Sequence, residues 1–172
     1  MSDLKDIHRA VHQALTAIFP EGAPESPLLR RAYADPPPPP PEEGRDALYY
    51  HLEPDAGPAL TEISLNKDGD TEVFRFLPAR LILVFYGPRA ERLARRCAAM
   101  LFLDGRDRPR GILRAAGVYP LPPPPAPLLS WEEWARRHRP RADLVLPLRL
   151  RLPERFHPPE PEGLASPPEI LF

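Results

Sequence analysis

Apolar residues recur every three or four positions over residues 3–19, where Leu4, Ile7, Val11, Leu15 and Ile18 form one stripe. That spacing predicts an amphipathic helix, capped by Ser2 or Asp3 and ended by Pro20. The period then shortens. LLRRAYA (28–34) reads as a short strand, and residues 46–53, with Leu48, Tyr49, Tyr50 and Leu52, read as another. Residues 60–65 and 72–77 alternate on both sides of Asn66-Lys67-Asp68-Gly69-Asp70, where Asp68-Gly69 suits a hairpin turn; Pro78 is expected to end that hairpin. LILVFY (81–86) is apolar throughout, which predicts a strand covered on both faces, the second by another subunit.

Gly87-Pro88 then turns the chain into a helix expected over 88–103, about 24 Å long, with Pro88 at its first position. Ala90, Leu93, Ala94, Cys97, Leu101 and Phe102 form its packing side; Arg89, Arg92 and Arg96 lie opposite, and Glu91 and Arg95 form an i,i+4 pair. Gly105 is the expected exit. A short helix near 109–116 closes at Gly117. Ser130-Trp131-Glu132-Glu133 matches a capping box and predicts a short helix carrying Trp131 and Trp134. The cleanest alternation follows, with Leu144, Leu146, Leu148, Leu150 and Leu152 on one face of a strand. Pro147 implies that this strand is an edge or is bulged. Glu169-Ile170-Leu171-Phe172 is read as a final strand.

Composition places these elements in one domain. The 172 residues are 42% apolar, enough to bury a core. The 28 prolines concentrate at the joints, in arm or connector segments over 20–44 and 153–168 and in a connector over 120–129. The run of six at 36–41 predicts a polyproline segment on the order of 19 Å long. No basic residue flanks that run closely, so it reads as a stiff spacer or arm rather than a docking site for a proline-binding module. The expected fold class is therefore α+β, a mostly antiparallel sheet packed against helices in a single domain of 1–172 with proline-rich arms.

Charge and cysteine content narrow the function. A net charge of −1 gives no global field toward nucleic acid or anionic lipid. The single Cys97 excludes an internal disulfide. MSDLKDI lacks the layout of a signal peptide, and the longest apolar run is far too short to span a bilayer, so a soluble protein is expected.

Catalytic patterns are sparse. His8 and His12 share a helix face at i,i+4, but no glutamate adjoins His8 and no third ligand is evident, so surface histidines are favoured over a metal site. One glycine at FYGPRAERL is not a phosphate cradle, because Pro88 lacks an amide hydrogen and no Gly-Lys-Ser/Thr follows. Cys97 reads as a packed thiol, and none of the five serines sits in a nucleophile elbow. No enzyme activity, cofactor or metal is expected.

The arginines group as Arg89, Arg92, Arg95, Arg96, Arg106, Arg108 and Arg110, and as Arg136, Arg137, Arg139 and Arg141. Such groups can grip phosphates, yet acidic residues are equally numerous, and a solvated or subunit-facing surface is favoured over nucleic acid. Trp131 and Trp134 read as a helix wedge closing the core rather than an aromatic cage.

The order of these parts resembles the tail-terminator or neck (tail-to-head joining) proteins of tailed bacteriophages. The resemblance rests on FYGPRAERLARRCAAMLF, RGILRAAGVYPLP and WEEWARRHRPRADLVLPLRL. Its elements are Tyr86-Gly87 before a helix, the turn Gly117-Val118-Tyr119-Pro120, the Trp131/Trp134 segment and the strand start Arg141-Ala142-Asp143, over about 80–150. It implies a structural virion subunit that forms a homo-oligomeric ring, usually a hexamer, stops the tail tube and meets the head connector. The implied location is the virion, or the host cytoplasm during assembly. Arg89, Arg92, Arg95, Arg96, Trp131, Trp134 and Arg141 are the candidate interface residues. Two alternatives are another head-completion or baseplate protein and an arginine-rich nucleic-acid-binding adaptor.

Overall fold

A computed structural model of the chain describes residues 4–33, 38–39, 42–55, 57–65, 71–123, 125–134 and 137–154. The Asp68-Gly69 turn, most of the 36–41 proline run and the 169–172 segment lie outside these. The elements run α1 (Leu4–Ile18), β1 (Leu28–Arg31), β2 (Ala47–Pro54), β3 (Leu60–Leu65), β4 (Thr71–Tyr86), α2 (Ala90–Met100), α3 (Pro109–Ala115), β5 (Val118–Pro120), β6 (Leu128–Trp134) and β7 (Arg137–Glu154). The protein is a single α+β domain.

Its seven-stranded sheet has the central order β1-β2-β4-β7-β5, with β3 added beside β4 and β6 beside β7. Only β1 and β2 pair in parallel. The long strands β4 and β7 form the spine, in register from Val73 opposite Glu154 to Tyr86 opposite Arg141.

Period-two alternation sorts the spine into two faces. Ala79, Leu81, Leu83 and Phe85 of β4 lie beside Ala142, Leu144, Leu146, Leu148 and Leu150 of β7, and all are buried. Ile7, Val11, Leu15 and Ile18 of α1, Leu93, Ala94 and Cys97 of α2, and Leu113 of α3 complete that core. Each fully buried leucine or isoleucine contributes about 1.5–3 kcal/mol before conformational entropy opposes it. The opposite face carries no helix among the described residues: Ile82 and Val84 are half-buried and Val145 is 42% exposed. The described residues therefore cover LILVFY on one face only.

Pro78 does not end the hairpin. β4 continues through it, so the two expected strands are one. The reason lies in the direction of the absent donor. Backbone groups alternate sides along a strand, and the Pro78 carbonyl accepts from the Asp55 amide at 2.9 Å. The missing N–H thus points at the seam where β3 stops, at Phe76, and β2 begins, at Ala79. Pro147 repeats the arrangement: its carbonyl accepts from Leu121 at 3.0 Å, in the gap between β6, which ends opposite Asp143, and β5, which starts opposite Leu148. By the same alternation Pro54, Pro120, Pro140 and Pro153 point their nitrogens past a partner's end or off an edge. Six strand prolines therefore cost no ladder hydrogen bond.

The 130–134 segment is also a strand, not a helix. β6 pairs with β7 from Leu128 opposite Asp143 to Trp134 opposite Arg137. The capping-box pattern offers two local hydrogen bonds, whereas the hairpin offers a whole ladder plus the Arg141–Glu132 contact at 3.5 Å. Trp131 is 70% exposed and closes no core. The second helix starts later than expected, at Ala90, leaving Pro88 in the preceding turn and Arg89 at the N-cap. It ends at Met100, so Gly105 opens the following turn instead of capping. Gly117, at φ +78°, does close α3: its amide donates to the Arg114 carbonyl and its carbonyl accepts from Arg151 at 2.7 Å.

Leu83 and Leu144 face each other across the spine, both fully buried. Leu83→Ala and Leu144→Ala are each expected to lower unfolding free energy by about 2–5 kcal/mol. The double variant should lose less than the sum, since both open one cavity. Urea midpoints of the three variants test this.

Candidate interface surfaces

Four of the seven candidate residues lie on or at the start of α2, and each is engaged within the chain. Arg89 sits at the N-cap, where its backbone N–H donates to Asp46 Oδ1 at 3.0 Å and its Nε donates to Asp46 Oδ2 at 2.6 Å. Its Nη2 reaches the Pro24 carbonyl at 3.2 Å. Asp46 is the buried charged residue among those described, at 7% exposure, so this contact joins the start of β2 to α2 in a low-dielectric setting. Gly87 makes room for it. At φ +111°, a Cβ there would lie 2.6 Å from Asp46 Oδ1 and 2.8 Å from the Arg45 carbonyl.

Arg92 pairs with Glu25 at 3.1 Å, and Arg95 with Glu91 at 2.9 Å. Arg96 donates to the Ile18 carbonyl at 3.2 Å, approaches Glu25 at 3.7 Å and lies over the Phe19 ring. These arginines stitch α2 to the end of α1 and the loop after it. Exposed pairs of this kind contribute little individually, roughly 0–1 kcal/mol. Their effect on function is to lower the free positive charge of the helix.

Arg141 lies on the open face of β7, away from the α2 group. Its guanidinium is bidentate to Asp143, at 2.7 and 2.8 Å, and sits over the Tyr86 ring. Hydrogen bonding to Asp143 raises its pKa, with burial working against it. Burial pushes the Tyr86 phenol up to about 12, opposed by Arg141 and reinforced by Glu132. Trp131 stands exposed on β6; Trp134 ends the same strand. The structure thus separates the candidates into an internally paired helix group, a paired Arg141 and the β6 tryptophans.

Sequence reasoning picked out Trp131 but missed the other exposed apolar positions on the edges. Eight large apolar side chains are exposed among the described residues, and five of them lie on two strands: Leu60 and Ile63 on β3, and Leu128, Leu129 and Trp131 on β6. Each strand has one hydrogen-bonded neighbour. A partial signal for this was present: LTEISL and LLSWEEW contain no Pro, Lys or Arg, and guard their edges with glutamates alone.

Among the described residues, those weighed for chemistry form no catalytic constellation. His12 Nδ1 lies 3.0 Å from the Tyr50 hydroxyl, and His8 Nδ1 is buried without a hydrogen-bond partner. Among the described residues no group of three or more His, Cys, Asp or Glu is placed to hold a metal ion. Cys97 is fully buried, and burial pushes its thiol pKa up, away from a thiolate. A cavity of about 600 Å³ lies between the 21–30 loop, the 44–46 segment and Arg89. No helix of the described residues is long and apolar enough to cross a membrane.

Two stability predictions follow from these contacts. Asp46→Ala should cost about 2–3 kcal/mol, below the figure for a fully buried pair because Arg89 is one-third exposed, and chemical denaturation measures it. The His8 pKa is lowered from 6.5 by burial and then by Arg31. Its neutral form is thus favoured by folding: the stabilisation is complete above pH 6.5 and is lost as pH falls through the folded pKa. The acid-side loss of Tm should be shallower in His8→Gln than in the parent chain. No protein-family model and no curated protein matches this chain.

Proposed function

We propose that this chain is a structural subunit of a bacteriophage or prophage-like particle, a tail terminator that forms a ring on the tail tube and meets the head connector. The observation that carries the reading is where the exposed apolar surface lies. It concentrates on two edge strands that lack Pro, Lys and Arg, which suits a subunit whose work is contact with other subunits. The ordered resemblance over about 80–150 supplies the identity of the assembly, and the α+β architecture is compatible with it. Function in this reading is surface complementarity, without cofactor or catalysis.

The nucleic-acid adaptor reading is weaker. It needs arginines free to meet phosphates, yet Arg89, Arg92, Arg95, Arg96 and Arg141 are each engaged by this chain's own carboxylates. A different head-completion or baseplate role would use the same kind of surface, and partner identity separates it from a terminator.

The tagged chain recovered from its source, analysed by native mass spectrometry with its co-purifying proteins identified, tests the reading. A closed multiple of the 19.4 kDa chain, or a tail-tube or head-connector partner, is expected. Recovery with DNA, released steeply as salt rises, would replace the terminator with the adaptor.

A further inference from the structure

Four strands are outermost in this sheet, and they are not alike. β1 has four residues and carries Arg30 and Arg31; β5 has three and runs into Pro120, Pro122 and Pro123. Both follow the ordinary rules that keep an edge from pairing. β3 and β6 follow them less, with only Glu62 on β3 and Glu132 and Glu133 on β6 as edge charges. They have six and seven residues, lack Pro, Lys and Arg, and expose apolar side chains on both sheet faces. Leu60 and Leu128 lie on the open face, Ile63, Leu129 and Trp131 on the helix side.

We propose that β3 of one copy of this chain pairs with β6 of the next, so that the sheet continues from subunit to subunit. The polarity permits it. β3 is antiparallel to β4, β4 to β7 and β7 to β6, so β3 and β6 run in opposite directions on opposite margins of one sheet. A neighbour set alongside without inverting the sheet therefore presents antiparallel strands, and its helices stay on the same side. A foreign partner would need only one such edge. Two edges of matching length and opposite direction are what a head-to-tail repeat requires. A two-fold contact of β6 with β6 would leave β3 bare, whereas one head-to-tail junction covers both.

Charge selects the register. The residues of β3 whose backbone groups face outward are Thr61, Ile63 and Leu65, and those of β6 are Leu129, Trp131 and Glu133. Pairing Ile63 with Leu129 and Thr61 with Trp131 sets Glu62 opposite Ser130 and Glu132 opposite Leu60. A slip of two residues would place Glu62 against Glu132, a like-charge pair. A six-residue strand spans about 20 Å, so one junction is a small contact, and a closed ring gains by giving each copy two. Closure rests on the terminator reading; the edge pairing does not.

Glu62 and Ser130 form a non-hydrogen-bonded pair in this register, where Cα atoms approach to about 4.5 Å, within disulfide range. The full chain carrying Glu62→Cys is mixed with the chain carrying Ser130→Cys under mild oxidation and resolved on non-reducing gels; the native Cys97 is buried in both. Heterotypic dimer is expected at least tenfold above the homodimer of either variant alone, and the double variant should give a series of multimers. Ile63→Lys with Trp131→Lys should abolish the multimers while the circular dichroism spectrum stays unchanged. Ser130→Cys cross-linking to itself as readily as to Glu62→Cys, or no disulfide in any mixture, overturns the junction. Tail-tube binding that persists without the disulfide would sink the junction alone. A disulfide ladder that neither binds nor caps a tube would sink the terminator reading alone.

Discussion

The register of β4 against β7 is the constraint on which the remaining structure depends. Across Val73–Tyr86 and Arg141–Glu154 it sets, residue by residue, which side chains meet the helices. A slip of one residue would send Leu81, Leu83 and Phe85 to the open face and bring Ile82, Val84 and Tyr86 inward, against a helical layer shaped for the first set. Pairing by alternation also fixes where each backbone donor points. That is why a chain so rich in proline can hold two long central strands: the prolines fall where one neighbour has ended and the next has not begun.

Much of this was legible because the helix and strand patterns follow local rules. The α1 stripe and the leucines at 144–152 each bury residues in the period their geometry dictates. The errors arose where a local rule lost to a distant partner. Proline disfavours a central strand only when its nitrogen faces a neighbour, and at Pro78 the direction depends on strands 24 or more residues earlier in the chain, ending at Pro54, and on where β3 stops. The Ser130–Glu133 capping box was sound as local chemistry, but it could not register that 137–143 lay ready as a partner strand.

The candidate surface was legible in kind but not in position. Arginine density drew attention to α2, yet a sequence does not show that Glu25, Asp46 and the Ile18 carbonyl lie within reach of that helix. Once the fold places them there, the arginines act mainly as fasteners between α1, β2 and α2. The apolar edges were less conspicuous, since LTEISL and LLSWEEW look like ordinary amphipathic segments until the topology leaves each with a single neighbour.

Core and edges are thereby separated in space, and this separation has a functional consequence. The leucines that hold the sheet to its helices lie in the central strands, while the exposed apolar residues sit on hairpin arms that contribute little to the core cluster. A chain built this way can alter what its edges meet without loosening what holds it folded, because substitutions at Ile63 or Trp131 remove no buried contact. The cost falls on the free subunit, whose apolar edges remain open to unwanted pairing until something covers them. Such edges are tolerable in a chain that spends its working life assembled, as the proposed subunit would, because its neighbours then cover them.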